Sequence, residues 1–110
     1  MIPVDQVRIL SVTPSSYINS YGIHAVAYGK VAIISGWINL KSSTPSRSTL
    51  FSVPNIKPKE NATGALSEEG KGMYALGTEY SSAAQATNFY VNSVLESDKY
   101  YNFFIPILIE

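Results

Sequence analysis

The sequence predicts an all-β protein, an antiparallel β-sandwich or barrel of about seven or eight short strands. Short apolar or alternating runs recur along the chain, separated by clusters of Gly, Pro, Ser and Asn. No segment carries three turns of amphipathic helical periodicity, an internal repeat or a heptad pattern. At 110 residues the chain is long enough for one domain with a real core, read as 1–110, and too short for two.

The elements follow in order. Gln6 to Val12 is a strand with Val7 and Ile9 on one side, closed by the turn cluster Thr13-Pro14-Ser15-Ser16. Gly22 to Tyr28 is a second strand, with Ile23, Ala25 and Ala27 opposite His24, Val26 and Tyr28. Gly29-Lys30 suits a two-residue hairpin loop, since glycine at the first central position permits the positive φ of a type II′ turn. Val31 to Leu40 follows as a strand, and the Ser/Thr/Pro-rich stretch Lys41 to Ser48 reads as a loop. Thr49 to Val53 is a short strand ending at Pro54. A weak strand at Ala62 to Ser67 leads to a turn at Glu68-Glu69-Gly70. Met73 to Tyr80 is a strand, and Ser81 to Ala86 a loop or a single helical turn. Thr87 to Leu95 sets Phe89, Val91 and Leu95 against Asn88, Tyr90 and Asn92. After a turn at Glu96 to Lys99, Tyr101 to Ile109 closes the chain.

Two strands break the expected alternation, because both of their faces are apolar. In the first, Val31, Ile33 and Trp37 oppose Ala32, Ile34, Ile38 and Leu40; in the last, Phe103, Ile105, Ile107 and Ile109 oppose Phe104, Pro106 and Leu108. A half-solvated antiparallel strand alternates apolar with polar, so the second faces need a cover. Either another copy of the chain supplies it or the long middle loop does. Pro106 cannot donate to a ladder, which places the last strand at an edge or in a bulge.

Composition narrows the chemistry. The chain has no cysteine, which removes thiolate metal sites, thiol nucleophiles and disulfides together. Its charges balance, with 8 Lys and Arg against 8 Asp and Glu and no block of either sign, so nucleic acid is not an expected partner. No apolar run approaches the ~20 residues of a membrane span, and Met1-Ile2-Pro3-Val4-Asp5 lacks signal-peptide character. Export would have to ride on something else.

The segment Tyr28-Gly29-Lys30-Val31 … Ser35-Gly36-x-Ile38, followed by Leu50-Phe51-Ser52-Val53-Pro54-Asn55-Ile56-Lys57-Pro58, resembles the C-terminal head domain of phage tail-fibre, baseplate and receptor-binding proteins of Gram-positive hosts. The likeness covers roughly Val7 to Pro58 and the aromatic style of the last strand. Here three residues separate Leu50 from Pro54, where the family usually has leucine and proline adjacent. The resemblance implies a small antiparallel β-domain that forms a homotrimer and binds host cell-surface saccharide. It also implies other tail or baseplate proteins as partners, and a location in the virion or, before assembly, in the cytoplasm of a lysogenic host.

His24 is the sole histidine and, with no cysteine, lacks company for a metal site or a catalytic centre. No serine lies in a Gly-x-Ser-x-Gly elbow, and the acidic residues fall mostly in turns. The expectation is therefore a non-enzyme with no catalytic residues, metal or cofactor. The 8 tyrosines carry more information, since a rigid apolar ring with a hydroxyl tip suits sugars and wet interfaces. Asn88, Tyr90 and Asn92 share one polar strand face, Tyr80 lies just before that strand, and Arg47 lies in the exposed loop; these five form the expected saccharide-contact set. Trp37 reads as core or interface. A ligand-free trimerisation or capping domain is the alternative function, and a β-sandwich hydrolase built around His24 a third.

Overall fold

The computed structural model describes residues 7–45, 47–68 and 72–110. Its strands are β1 (Val7–Ile9), β2 (Thr13–Pro14), β3 (Ile18–Tyr28), β4 (Val31–Leu40), β5 (Ser48–Pro54), β6 (Thr63–Glu68), β7 (Met73–Ser81), β8 (Ala86–Val91) and β9 (Tyr100–Leu108). They form one antiparallel sheet of 9 strands in the order β1-β3-β4-β9-β6-β7-β8-β5-β2. The chain is all-β, as the sequence predicts, with somewhat more strands than expected.

The sheet curls into a half-barrel, and the chain path shows why. β1 and β2 lie at opposite edges of the sheet, yet only Leu10 to Val12 join them. Four residue steps reach at most ~14 Å, so the two edges must approach each other. Leu10 donates its N–H to Ala25 in β3, and Ser15 donates to Leu50 in β5, stitching the seam. Leu10, Val12 and Tyr17 pack against the core there.

The hairpin of β3 and β4 turns at Gly29-Lys30, with Tyr28 opposite Val31. Gly29 takes φ 62°, the left-handed geometry its place in the turn demands. Gly36 is at φ 141°, and a Cβ there would meet the Gly22 carbonyl oxygen at 1.9 Å. No side chain fits.

The inner face holds the core. Ala32, Ile34, Ile38 and Leu40 of β4 and Tyr101, Phe103, Ile105 and Ile107 of β9 are buried, with Ile109 just beyond. The face assignment read from the sequence therefore holds for both doubly apolar strands. β5 departs from alternation, because a register shift between Thr49 and Phe51 turns both Leu50 and Phe51 inward. A second shift, between Ile18 and Ser20, displaces Asn19, whose side-chain N–H donates to Asn39 Oδ1 at 3.0 Å.

Several expectations are corrected. Thr13-Pro14 is a two-residue strand paired with β5, not only a turn. β3 begins earlier than Gly22, and β8 ends at Val91; beyond it, Thr44 of the loop between β4 and β5 accepts the Leu95 N–H on its Oγ1 at 2.9 Å. Of the two alternatives for Ser81 to Ala86, the structure takes the loop, a turn at Ser82 to Gln85. The expected turn at Glu68-Glu69-Gly70 lies mostly outside the described residues. β9 is an interior strand between β4 and β6, paired with β4 in continuous register from Tyr100 to Leu108. Pro106 is tolerated because β6 pairs with β9 only as far as Phe104, so β9 is an edge locally at the proline.

The middle loop does not cover the second apolar faces. Phe104 is 59% and Leu108 63% exposed, and Trp37, expected in core or interface, is 36% exposed on the outer face of the single chain. Lys59 to Ala62 line a hollow beside Pro106 and Leu108.

Candidate functional site

Register divides the outer face of the sheet into two halves of different chemistry. Across β1, β3, β4 and β9, one row reads Ile9, Val26, Ile33, Pro106 and the next Val7, Tyr28, Val31, Leu108. A third, His24, Ser35, Phe104, Ala65, Ala75, runs on into β6 and β7. None of these rows contains Lys, Arg, Asp or Glu.

The other half lies on β7, β8 and β5. There Gly77, Tyr90 and Thr49 form one row and Glu79, Asn88 and Ser52 the next. The Tyr90 ring lies across Gly77, where a Cβ would come within 2.7 Å of its Cζ. Arg47 is at φ 55°, a left-handed conformation that β-strand geometry does not offer, at the end of the loop entering β5. Its guanidinium sits 4.2 Å from the centroid of the Tyr90 ring and forms an ion pair with Glu79. Both charged side chains remain about half exposed, so water screens the pair.

The expected saccharide-contact residues divide accordingly. Arg47, Asn88 and Tyr90 lie together on the outer face. Tyr80 does not join them: it pairs with Thr87, whose buried Oγ1 donates to the Ile56 carbonyl, on the opposite face of the sheet. Its ring instead meets the Lys57 ammonium at 5.5 Å. Asn92 is exposed just past the end of β8, where strand alternation no longer sets its direction.

Comparisons of the chain with protein-family models, with curated proteins and with solved structures found no match. Its chemistry has to be read from these surfaces.

Two members of the outer face escaped the sequence reading. Glu79 became visible as the partner of Arg47 only through pairing of β7 with β8. A four-residue turn at Ser82 to Gln85 would have supplied that register by counting, setting Glu79 against Asn88 and Gly77 against Tyr90. Tyr100, 5.8 Å from Trp37 between ring centroids, forms an aromatic pair with it towards the far end of β4. Trp37 lies across Gly22 much as Tyr90 lies across Gly77, with 2.4 Å between its Nε1 and a Cβ built on the glycine. In both places a glycine on one strand lets a large ring lie flat on its neighbour.

His24 is exposed, opposite Ser35 on the open sheet face, and makes no hydrogen bond or ion pair among the described residues. Among the same residues, no three His, Asp or Glu side chains gather in a way that could hold a metal ion. Among the described residues, no helix is long and apolar enough to cross a membrane.

Proposed function

We propose that the chain is a non-catalytic binding and assembly domain: three copies associate through the apolar half of the outer face, and the polar half meets a cell-surface saccharide. One observation carries the reading, the division of a single sheet face into an uncharged apolar half and a polar half centred on Arg47, Glu79, Asn88 and Tyr90. A contiguous apolar patch in water is a source of association free energy. A guanidinium, a carboxylate and an amide on neighbouring positions offer donors and acceptors of the kind that sugar hydroxyls pair with. Three weak sites on one assembly would gain avidity of roughly a hundredfold or more. The resemblance to phage tail-tip receptor-binding domains supplies the setting, a tail or baseplate as neighbour and a host-surface glycan as receptor.

One observation favours the alternative, a ligand-free trimerisation or capping domain. The Tyr90 ring lies across Gly77 and carries the Arg47 guanidinium over it, so that ring is not open for a sugar to stack on. In the binding reading the ligand therefore meets the polar rim and not the ring.

Solution mass by light scattering, paired with a glycan screen on wild type, Arg47→Ala and Asn88→Ala, separates these readings. The expected result is a species of three chain masses in all three proteins, with saccharide binding lost in the variants. A monomer at high concentration overturns assembly. A trimer that binds no saccharide supports the ligand-free alternative.

A further inference from the structure

One row of the outer face belongs to neither half. It reads Gly22, Trp37, Asn102, Ser67 and Met73, on β3, β4, β9, β6 and β7 in turn. The row has no charged side chain, and an amide and a hydroxyl stand in its middle. Tyr100, two residues before Asn102 on the same face of β9, is exposed beside it.

Gly22 decides the pose of the indole. A Cβ there would come within 2.8 Å of Trp37 Cε2 and closer still to Nε1, so the pyrrole edge lies over the glycine. One side of the ring is against the sheet, yet Trp37 keeps 36% exposure, so solvent reaches the side turned away. Tyr100 stands at 5.8 Å with the two planes tilted by 52°, a wall beside the indole and not a lid over it. Among the described residues no cation stacks on Trp37, in contrast to Tyr90 under Arg47.

The wall is braced from behind. Asn39, opposite Tyr100 and buried, donates a side-chain N–H to the Lys99 carbonyl at 3.2 Å and accepts one from Asn19 at 3.0 Å. That clamp ties the entry of β9 to β4 and sets Tyr100 beside Trp37 before any ligand arrives. The indole Nε1–H, the Asn102 amide and the Ser67 hydroxyl make no hydrogen bond among the described residues. They are donors and acceptors in waiting.

We propose that Trp37, walled by Tyr100, is a second saccharide site, where one sugar ring stacks on the indole and Asn102 hydrogen-bonds its hydroxyls. The inference rests on the saccharide reading above and adds the stacking contact that Tyr90 does not offer. The ligand class follows from the chemistry of the row. A neutral sugar has an apolar C–H face and a rim of hydroxyls, and an open ring flanked by neutral polar groups meets both. A charged ligand finds no counter-charge in the row, and a purely apolar partner would leave the amide and hydroxyl unpaired. Three strand spacings across the sheet, ~14 Å, and four residues of β7, ~13 Å, separate Trp37 from Gly77 beneath Tyr90. One sugar ring cannot touch both sites, so the two are tested separately.

Trp37 is the single tryptophan, so tryptophan emission reports this site alone. Glucose, N-acetylglucosamine, rhamnose and any glycan retained in a glycan screen are titrated into wild type, Arg47→Ala, Asn102→Ala and Gly22→Ala. The expected result is a saturable emission change with at least one of these sugars, kept in Arg47→Ala. Asn102→Ala, at an exposed position, is expected to weaken it about fivefold. Gly22 is outside the left-handed region, so its backbone accepts alanine while the new Cβ displaces the indole; a loss of at least about fivefold is expected there too. An emission change that neither variant weakens overturns the site. A silent tryptophan, beside glycan binding that Arg47→Ala abolishes, overturns the Trp37 site and leaves the saccharide reading standing. Absence of binding by either method overturns both. An emission shift that follows protein concentration without sugar shows Trp37 covered by another copy, and likewise overturns the site.

Discussion

The Phe51 ring stacks on Phe103 with 5.2 Å between centroids, although β5 and β9 are separated in the sheet by β6, β7 and β8. The contact therefore runs across the interior of the curl, not along its surface. Phe89 stacks on Phe51 at 4.6 Å and extends the column. Phe51 faces inward only because the register shift beside Thr49 places it there along with Leu50. A local irregularity in one edge-proximal strand thus supplies the ring that holds two halves of the sheet together.

Replacing that ring should be costly. Phe51 is fully buried, so Phe51→Ala is expected to lower unfolding free energy by about 3–5 kcal/mol, a large part of the margin a domain of this size holds. Urea unfolding at constant slope measures it. A loss below about 1 kcal/mol would show that the sheet stays curled without the ring.

Two glycines should behave oppositely. Gly36→Ala forces a Cβ onto the Gly22 carbonyl oxygen and a side chain into a left-handed backbone, and is expected to cost at least about 2 kcal/mol. Gly72→Ala meets nothing within 4 Å and is expected to change stability by less than about 0.5 kcal/mol. Melting temperatures of the two variants side by side provide the check, and equal effects would contradict the close approach of β3 and β4 at Gly36.

The Tyr101 phenol should make stability fall in base. Burial is the main cause that pushes it above the ordinary 10.0, with Glu68, Tyr74 and Glu96 adding, and the Glu96 backbone hydrogen bond opposing. Below pH 10.0 both folded and unfolded chains keep the proton, so this contribution is fully present. As pH rises from there toward the folded value, the unfolded chain alone gives the proton up and the contribution is lost. Tyr101→Phe is expected to flatten this part of the unfolding midpoint's pH profile. It should also cost about 1 kcal/mol at neutral pH for the Glu96 N–H left without its hydroxyl acceptor.

The Arg47–Glu79 pair should matter little to folding. Both side chains are about half exposed, so Glu79→Gln is expected to cost less than about 1 kcal/mol, shrinking further in salt. A Glu79→Gln melting curve unchanged in saccharide-free buffer, beside a changed saccharide affinity, would mark the pair as a recognition element. A large stability loss would mark it as structural.

Much of the architecture was legible in the chain because strand geometry is local. Successive side chains point to opposite faces, so the placing of Phe103 and Ile105 on one side of β9 and of Phe104 and Leu108 on the other follows from alternation alone. Gly29 announced its turn because few other residues take that backbone conformation. The saccharide-contact set was legible only in part. Asn88 and Tyr90 belong to one strand face by period, and Arg47 joins them through a loop whose path no period encodes.

What the sequence by itself determined is which side of each strand faces which way, and hence that two strands carry apolar surface on both faces. Which strands become neighbours was decided only in three dimensions. That choice set Glu79 beside Asn88, put Tyr80 on the other face, made β9 interior with a local edge at Pro106, and left its second face open to solvent. The physical reason is that side-chain alternation repeats every two residues within a strand, whereas pairing register and sheet order join residues tens of positions apart.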